Sequence, residues 1–320
     1  MMNKICIDFG GGNLKIHHNI FGLVFNEPTL IAAEKRGKKY AIIATGNNAE
    51  KLFTETKANQ VVFSPIAEGV VQSVEYAAAL LKRALNSSLN KKAMHQAHVM
   101  FCVPSGINTQ EKQLFLKICK LCGFKNIDLA DAPVAVLLGA TELAPEEEVL
   151  VIDLGASKCD FQILKNFQIQ KSATLGLGGN SIKNALKQTL WEEDCLWINN
   201  NFAHSAQKQL CTLLSSNQQR LEICGLHYPT GEELTKSISA NQFFPLTKGF
   251  FDEVVLIGKT LMLEYQAQTN SRIKNILLSG GLAHTTGLEK FFLKNFSNTK
   301  IIITEDPEYA SLRGLVKLLT

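Results

Sequence analysis

"KICIDFGGGNLKI", residues 4–16, is the stretch from which the rest of the chain is read. Ile5 and Ile7 alternate with Cys6 and Asp8, which is the period of a strand. Three glycines follow the aspartate, and after Asn13 a second alternating run begins at Leu14. The simplest reading is a hairpin. Glycines remove Cβ atoms, so backbone N–H groups can converge on an anion. The turn is therefore either an ordinary tight connection or one that holds a phosphate.

The design returns as "EVLVIDLGASKCDFQIL", residues 148–164, where a β-branched run again ends in aspartate, apolar residue, glycine. Asp8-Phe9-Gly10 and Asp153-Leu154-Gly155 lie 145 residues apart in a chain of 320. That spacing suggests duplicated halves, each opening with a strand–turn–strand unit. Two facing hairpins would clamp a polyphosphate from both sides. Their aspartates, repelled by phosphate, would face a hydrated Mg²⁺, which keeps several waters and needs few protein ligands.

Composition sets the broad class. A hydrophobic content of 46% with 19% charged residues is ordinary for a soluble globular protein, and the length allows two modest domains. No apolar run approaches the roughly 18 residues of a spanning helix. "MMNKICIDFGG" enters a strand at once, leaving no room for a signal peptide, so a cytoplasmic location is expected. The net charge of +4 is spread along the chain. Its densest basic patch, "EKRGKKY" (34–40), reads as a solvated hairpin tip, with an anionic partner as the alternative. No aromatic residues interleave with a basic stripe, so nucleic acid is not an expected partner.

Eight cysteines without a secretory signal do not imply a disulfide framework. Cys119 and Cys122 form a CxxC within "EKQLFLKICKLCGF", where Leu114, Ile118, Leu121 and Cys122 fall at helical spacing. They read as filler beside an apolar face, not as a zinc or redox site. His17 and His18 lie on the return of the first hairpin and read as surface residues.

Further elements order themselves around the two loops. "AHVMFCVPSG" (97–106) is an apolar strand ending in a turn, and Asn108 with Glu111 has capping-box spacing for the helix that follows. Gly123 stands where a C-cap glycine would. "KNIDLADAPVAVLLGATELA" (125–144) predicts a short strand, a turn at Asp131-Ala132-Pro133 and a small-residue helix. "KSATLGLGGNSIKNALKQTL" (171–190) predicts a strand, Gly178-Gly179 and a helix with Ile182, Leu186 and Leu190 on one face. "IKNILLSGGLAHTTGLEKFFLKNF" (273–296) repeats the pattern around Gly280-Gly281. Segment 184–246 reads as a mostly polar, helical inserted subdomain.

In this order the segments resemble the actin-like ATPase superfamily and, within it, the bacterial MreB family. "CIDFGGGN" resembles the first phosphate loop, "VPSGINTQEK" (103–112) a family signature, and "DLADAPVAVLLGA" the second connecting segment. "VIDLGASKCDF" resembles the second phosphate loop, "LSGGLAHTTGLEKFF" the adenosine motif, and "TEDPEYASLRGLVKLL" the closing strand and helix. "FNEPTLIA" (25–32) and "PIAEGVVQSVEYAAALLK" (65–82) match the segments between.

The resemblance implies an α/β, actin-like (ribonuclease H-like) fold of two related α/β domains around a nucleotide cleft. Domain I would be 1–145 with the C-terminal helix 308–320 and a small subdomain at 25–60; domain II would be 146–307 with 184–246 inserted. It implies ATP and Mg²⁺ as cofactors. Asp8 and Asp153 would approach the metal through water. Gly10, Gly11, Gly12 and Asn13 would line the phosphates, with Lys15 reaching them or standing as an ordinary strand lysine. Gly155, Ala156, Ser157 and Lys158 would form the second loop. Gly178, Gly179 and Asn180 would lie near ribose and phosphate, and Gly280, Gly281 and Leu282 near the nucleoside. Asp131 would orient the attacking water, with Asp160 second and Asp153 as the metal-side carboxylate; the alternative for Asp131 is a helix cap.

The chain departs from the family pattern in places. Gly11 replaces a hydroxyl residue, and Asp131-Ala132-Pro133 replaces a segment with two glutamates before the proline. Lys158 sits within the second loop, where it would add positive charge to the nucleotide or fill part of its site. Asn180 replaces aspartate, and Leu282 a third glycine. The function implied is ATP-dependent filament formation in the bacterial cytoskeleton, serving cell shape and wall-synthesis placement, with hydrolysis by in-line water attack. The alternative is a nucleotide-binding scaffold or adaptor with little or no ATPase activity. Partners implied are filament protomers, then a membrane surface or membrane-bound morphogenetic proteins. "LNSSLNKKAMHQ" (85–96), with Leu89 and Met94 beside Lys91 and Lys92, is either a membrane-touching loop or a plain helix–strand connection.

Overall fold

The computed structural model describes residues 2–37, 39–52, 58–67, 69–140, 143 and 146–319, and of Asn201 only the backbone. The chain opens with β1 (Lys4–Phe9), β2 (Asn13–His18), β3 (Gly22–Pro28), β4 (Ile31–Arg36), β5 (Lys39–Thr45), α1 (Gly46–Lys51) and β6 (Gln60–Phe63). The short pair β7 (Ile66–Ala67) and β8 (Val70–Val71) leads into α2 (Val74–Ser88), α3 (Lys91–Met94), β9 (His98–Val103), α4 (Thr109–Leu121), β10 (Asn126–Asp131) and α5 (Ala132–Ala140). Next come β11 (Val149–Leu154), β12 (Cys159–Lys165), β13 (Gln168–Leu175), α6 (Gly179–Asp194), β14 (Leu196–Trp197) and α7 (Asn200–Leu210). The strands β15 (Arg220–His227) and β16 (Glu232–Ser239) precede α8 (Ala240–Thr269), β17 (Asn275–Ser279), α9 (Leu288–Asn295), β18 (Lys300–Ile303) and the closing α10 (Ala310–Leu319). These elements form two compact units, 1–143 with 308–320, and 144–307.

Among the described residues each unit centres on a five-stranded sheet, ordered β10-β9-β1-β2-β3 in the first and β13-β12-β11-β17-β18 in the second. The topology is the same. Three strands run as an antiparallel meander, and two later strands add in parallel on the far side of the first. The first strand of each unit is thus central and covered on both faces, which suits the unbroken apolar run Val149–Ile152.

In the first unit Ile5, Ile7, Leu14, Ile16 and Phe101 pack on one face against α2 and α4. On the other face Cys6, Met100 and Cys102 meet α5 and α10 through Ala135, Leu312 and Leu315. There α5 and α10 touch backbone to backbone, since a Cβ on Gly314 would fall 1.8 Å from the Ala135 carbonyl oxygen. In the second unit the predicted stripe Ile182, Leu186, Leu190 is buried, together with Phe243, Phe251 and Phe292. The capping box at Asn108 and Glu111 is formed in both directions, and Gly123 takes a φ of +96° just past the helix end.

Several expectations are corrected. His18 is fully buried, because it shares the inward phase of β2 with Leu14 and Ile16; His17 is half-buried. Leu121 is 49% exposed, since α4 turns Phe115, Ile118 and Cys119 into the core with Leu114 packed beside them, and Leu121 falls off that face. No turn separates β10 from α5: Pro133 is the second residue of the helix, where its missing N–H costs nothing. Segment 184–246 is not mostly helical, as it holds the three-stranded sheet β14-β15-β16. The apolar residues of 85–96 turn inward, with Leu89 and Ala93 buried and Met94 packed on the same core. "EKRGKKY" is a hairpin tip, from β4 into β5, with Lys38 outside the described residues. In the 25–60 segment, 53–57 likewise lie outside them.

His18 sets a pH dependence. Its Nδ1 accepts from the Ile20 N–H at 3.1 Å, its ring lies 4.8 Å from that of Phe21, and Nε2 completes no hydrogen bond of good geometry. Burial lowers its pKa from the ordinary 6.5, with the nearby Ala93 carbonyl acting the other way. His17 is lowered by burial and by His18. A folded-state pKa below the unfolded one means that the unfolded chain protonates first as pH falls. The stability is therefore present above 6.5 and lost as pH drops through the depressed values. Thermal unfolding should show the wild type losing stability from neutral to mildly acidic pH, and His18→Gln losing less over the same interval. Equal losses would remove His18 as the source.

Candidate functional site

The two loops singled out from the sequence are built alike, each within its own unit. In the first, Gly10 N–H donates to the Asn13 carbonyl at 3.0 Å and closes the β1–β2 turn. In the second, Gly155 N–H donates to the Lys158 carbonyl at 3.1 Å and closes the β11–β12 turn. Both turns leave their strands in a register that sets a charged residue opposite the aspartate: Asp8 faces Lys15, and Asp153 faces Asp160.

Around the first hairpin, Asp8 is held on one oxygen. Lys15 Nζ lies 3.3 Å from Oδ2, and Ser311 Oγ of α10 donates to the same atom at 2.8 Å. Lys15 also donates to the Glu308 carbonyl and lies over the Tyr309 ring, 5.5 Å from its centroid. It is not an ordinary exposed strand lysine, being 12% exposed. Thr29 supports the loop from behind: its hydroxyl donates to the Gly10 carbonyl at 2.6 Å and its N–H to the Gly12 carbonyl at 2.9 Å. Gly11 and Gly12 are half-exposed, and the Asn13 side chain is held by Asn26 at 2.7 Å. Nearby, Asp131 ends β10, half-buried, and among the described residues its carboxylate has no partner. It therefore makes no capping bond to α5.

Around the second hairpin, Lys158 Nζ meets Asp160 Oδ2 at 2.7 Å, and Thr174 donates to Asp160 Oδ1 at 2.7 Å. Both oxygens of Asp160 are thus engaged. Ser279 donates to Asp153 Oδ1 at 3.0 Å. The start of α6 docks on this loop: the N–H groups of Gly179 and Asn180 donate to the carbonyls of Gly155 and Ala156 at 3.0 and 2.7 Å. Only glycine fits at 178, where a Cβ would lie 2.7 Å from three backbone atoms of the loop. Gln207, buried on α7, donates to the Gly179 carbonyl at 2.7 Å. Gly280 takes a φ of +85° beneath Leu154 and receives the Ala283 N–H on its carbonyl, while Gly281 is open. Leu282 is a core residue packed beside Gly179. Ser157 is half-exposed at the tip.

The residues missed from sequence are the supports: Thr29, Thr174, Ser279, Gln207, Glu308 and Ser311. Ser279, immediately before the glycine pair, carried a local signal; Ser311, 303 residues from its partner, carried none.

Could the implied magnesium fit? Among the described residues no cluster of three His, Cys, Asp or Glu side chains is arranged to grip a metal directly. A hydrated Mg²⁺ needs only one or two carboxylates. Asp8 satisfies that chemistry, because its bonds all fall on Oδ2 and Oδ1 has no partner among the described residues.

Comparisons with known proteins agree with this architecture. The sequence model described as MreB/Mbl protein matches residues 2–320. The chain is 22% identical over 307 residues to the cell shape-determining protein Mbl of Bacillus subtilis, covering 95% of this chain and 91% of that protein. The crystal structure of MreB5 of Spiroplasma citri bound to AMPPNP superposes with a TM-score of 0.87 at 22% identity, over 100% of this chain and 96% of that one. A MamK double helical filament gives 0.78 at 19% identity, over 99% of both chains.

Proposed function

The chain belongs to the MreB/Mbl family of bacterial actin-like cytoskeletal proteins, and on that footing we propose that it binds ATP and polymerises into filaments that serve cell shape and the placement of wall synthesis. The observation that carries the nucleotide reading is the shared construction of the two hairpins. Each is a glycine turn closed by one backbone bond, beside an aspartate and a lysine. Such turns offer backbone N–H groups to phosphate, and the lysines add charge. The similarity to MreB5 bound to AMPPNP and ADP supports the ligand, and the similarity to a MamK filament supports the assembly. The exposed Trp197 and Leu226, paired across β14 and β15, supply one apolar contact surface.

Hydrolysis on this reading is attack of water in line with the leaving diphosphate, driven by positioning and charge neutralisation. Asp131 accepts a hydrogen bond from that water and aims it, its carboxylate having no other partner among the described residues. Asp160 is the weaker candidate, because Lys158 and Thr174 already fill both of its oxygens. Asp8, with one carboxylate oxygen open among the described residues, would hold a hydrated Mg²⁺ through water, and the bound ion would neutralise charge on the phosphates. Aspartate is one methylene shorter than the glutamate common in the family, so turnover is slow. Pelleting and electron microscopy with ATP, ADP and no nucleotide, with phosphate release in parallel, test this reading. Nucleotide-dependent filaments are expected, and Asp131→Ala should slow phosphate release by about 10²-fold or more while ATP still binds. Unchanged turnover would remove Asp131, and no filaments under any condition would defeat the cytoskeletal role.

The apolar part of a membrane contact finds support outside 85–96, with that segment supplying only the charge. Where a hairpin turn usually carries polar residues, the β2–β3 turn carries Ile20 and Phe21, 58% and 57% exposed. Leu23 and Met2 are exposed with them, and Asn3 ties this end of the sheet to the carbonyls of Lys92 and His95. Exposed Lys91 and Lys92 therefore border an apolar tip, a combination suited to an anionic lipid surface. The protein should co-sediment with vesicles containing phosphatidylglycerol and less with neutral ones. Ile20→Ser with Phe21→Ser should abolish the difference; unaltered sedimentation would exclude the tip.

A further inference from the structure

The second hairpin contains an electrostatic conflict that the first does not. Asp153 and Asp160 stand directly opposite each other on β11 and β12, so their carboxylates share one face of the sheet. Like charges at directly opposed positions are destabilising unless something lies between or beside them. In the first hairpin the residue opposite the aspartate is Lys15, and the pair is neutral.

The chain supplies its own remedy. Lys158 Nζ reaches Asp160 Oδ2 at 2.7 Å, with the two side chains only 20% and 15% exposed. Its backbone is fixed by the bond from Gly155 N–H to its carbonyl, so the ammonium leaves from a rigid turn. Thr174 and Ser279 each donate a hydroxyl to one of the aspartates. An ammonium carries three donors, and among the described residues Lys158 has no partner other than Asp160.

We propose that Lys158 is the internal counter-ion of the second hairpin, filling beside Asp153 and Asp160 the electrostatic role of a divalent cation. The hairpin then keeps its fold without Mg²⁺, and the remaining ammonium donors meet a phosphate oxygen directly. Nucleotide binding becomes only weakly dependent on Mg²⁺. This last consequence rests on the nucleotide reading above; the charge balance of the hairpin does not.

The first test needs no nucleotide: thermal unfolding of the whole protein with EDTA and with millimolar Mg²⁺. Wild type should unfold at the same temperature in both. Lys158→Ala should unfold earlier in EDTA and recover in Mg²⁺, because an ion that binds only the folded state stabilises it. Lys158→Arg should behave as wild type, and Lys158→Ala with Asp160→Asn should lose the response to Mg²⁺, since the opposed charges are gone. A wild type that gains from Mg²⁺ as much as Lys158→Ala does would overturn the proposal. So would a Lys158→Ala deficit that Mg²⁺ leaves untouched.

The second test is equilibrium binding of a fluorescent ATP analogue. Wild-type affinity should change by less than about threefold on chelation, and that of Lys158→Ala by about tenfold or more. Collapse of wild-type affinity in EDTA would refute Mg²⁺-tolerant binding. Failure to bind the analogue under any condition would refute the nucleotide reading, while the unfolding series would still decide whether Lys158 is the counter-ion.

Discussion

The antiparallel register of the first two strands in each unit is the constraint on which the candidate site depends. Directly opposed residues share a face at short range, so the partner of an aspartate at a hairpin mouth cannot be arbitrary. In the first unit Asp8 meets Lys15, and the ion pair is drawn into a wider set of contacts with Ser311, Glu308 and Tyr309. Those three belong to the end of the chain, and they are in place because α10 lies so close on α5. Gly139 and Gly314 allow that closeness, with any Cβ on Gly139 falling 1.9 Å from the Ala310 carbonyl oxygen. A packing contact between two small-residue helices thereby fixes which oxygen of Asp8 is bonded and which is left open.

The second unit reaches a similar end by other means. Among the described residues its hairpin has no counterpart of α10, and the support comes from the start of α6. The N–H groups of Gly179 and Asn180 would be unsatisfied at a free helix terminus, but here they bond the carbonyls of Gly155 and Ala156. The positive end of the helix therefore lies against the loop and favours negative charge there. Gly178 permits this approach, and the buried Gln207 braces it from α7 by bonding the Gly179 carbonyl. The loop is held by backbone on one side and by Lys158, Thr174 and Ser279 at its two aspartates.

What could be read in the sequence was whatever is local. Strand alternation around Asp8 and Asp153, the glycines, the Asn108–Glu111 box and the α6 stripe are encoded within a few residues, and the structure has them all. The polarity of His18 suggests the surface, but its place in the phase of Leu14 and Ile16 points inward. Pro133 suggests a turn because proline breaks helices, yet in a first turn it is compatible with one, and here it sits at the start of α5. Leu282, expected near the nucleoside, packs its side chain into the core beside Gly179, a burial that no local pattern announces. Ser311 with Asp8 and Gln207 with Gly179 join residues far apart in the chain, and no local pattern could announce them.

The two aspartates considered for aiming water differ in how their lone pairs are used. Asp160 accepts an ammonium hydrogen on one oxygen and a hydroxyl hydrogen on the other, so it is a structural anchor for Lys158 and for β13. Asp131 ends a strand with its carboxylate uncommitted among the described residues. An anchor cannot reorient toward a water without giving up bonds that hold the turn, each contributing about 1.5–3 kcal/mol when charged. Asp160 is therefore committed to holding the second hairpin, and of the two aspartates only Asp131 keeps a carboxylate free to accept a further hydrogen bond among the described residues. The contact from Lys158 that anchors the turn is thus the same one that takes Asp160 out of contention for aiming water.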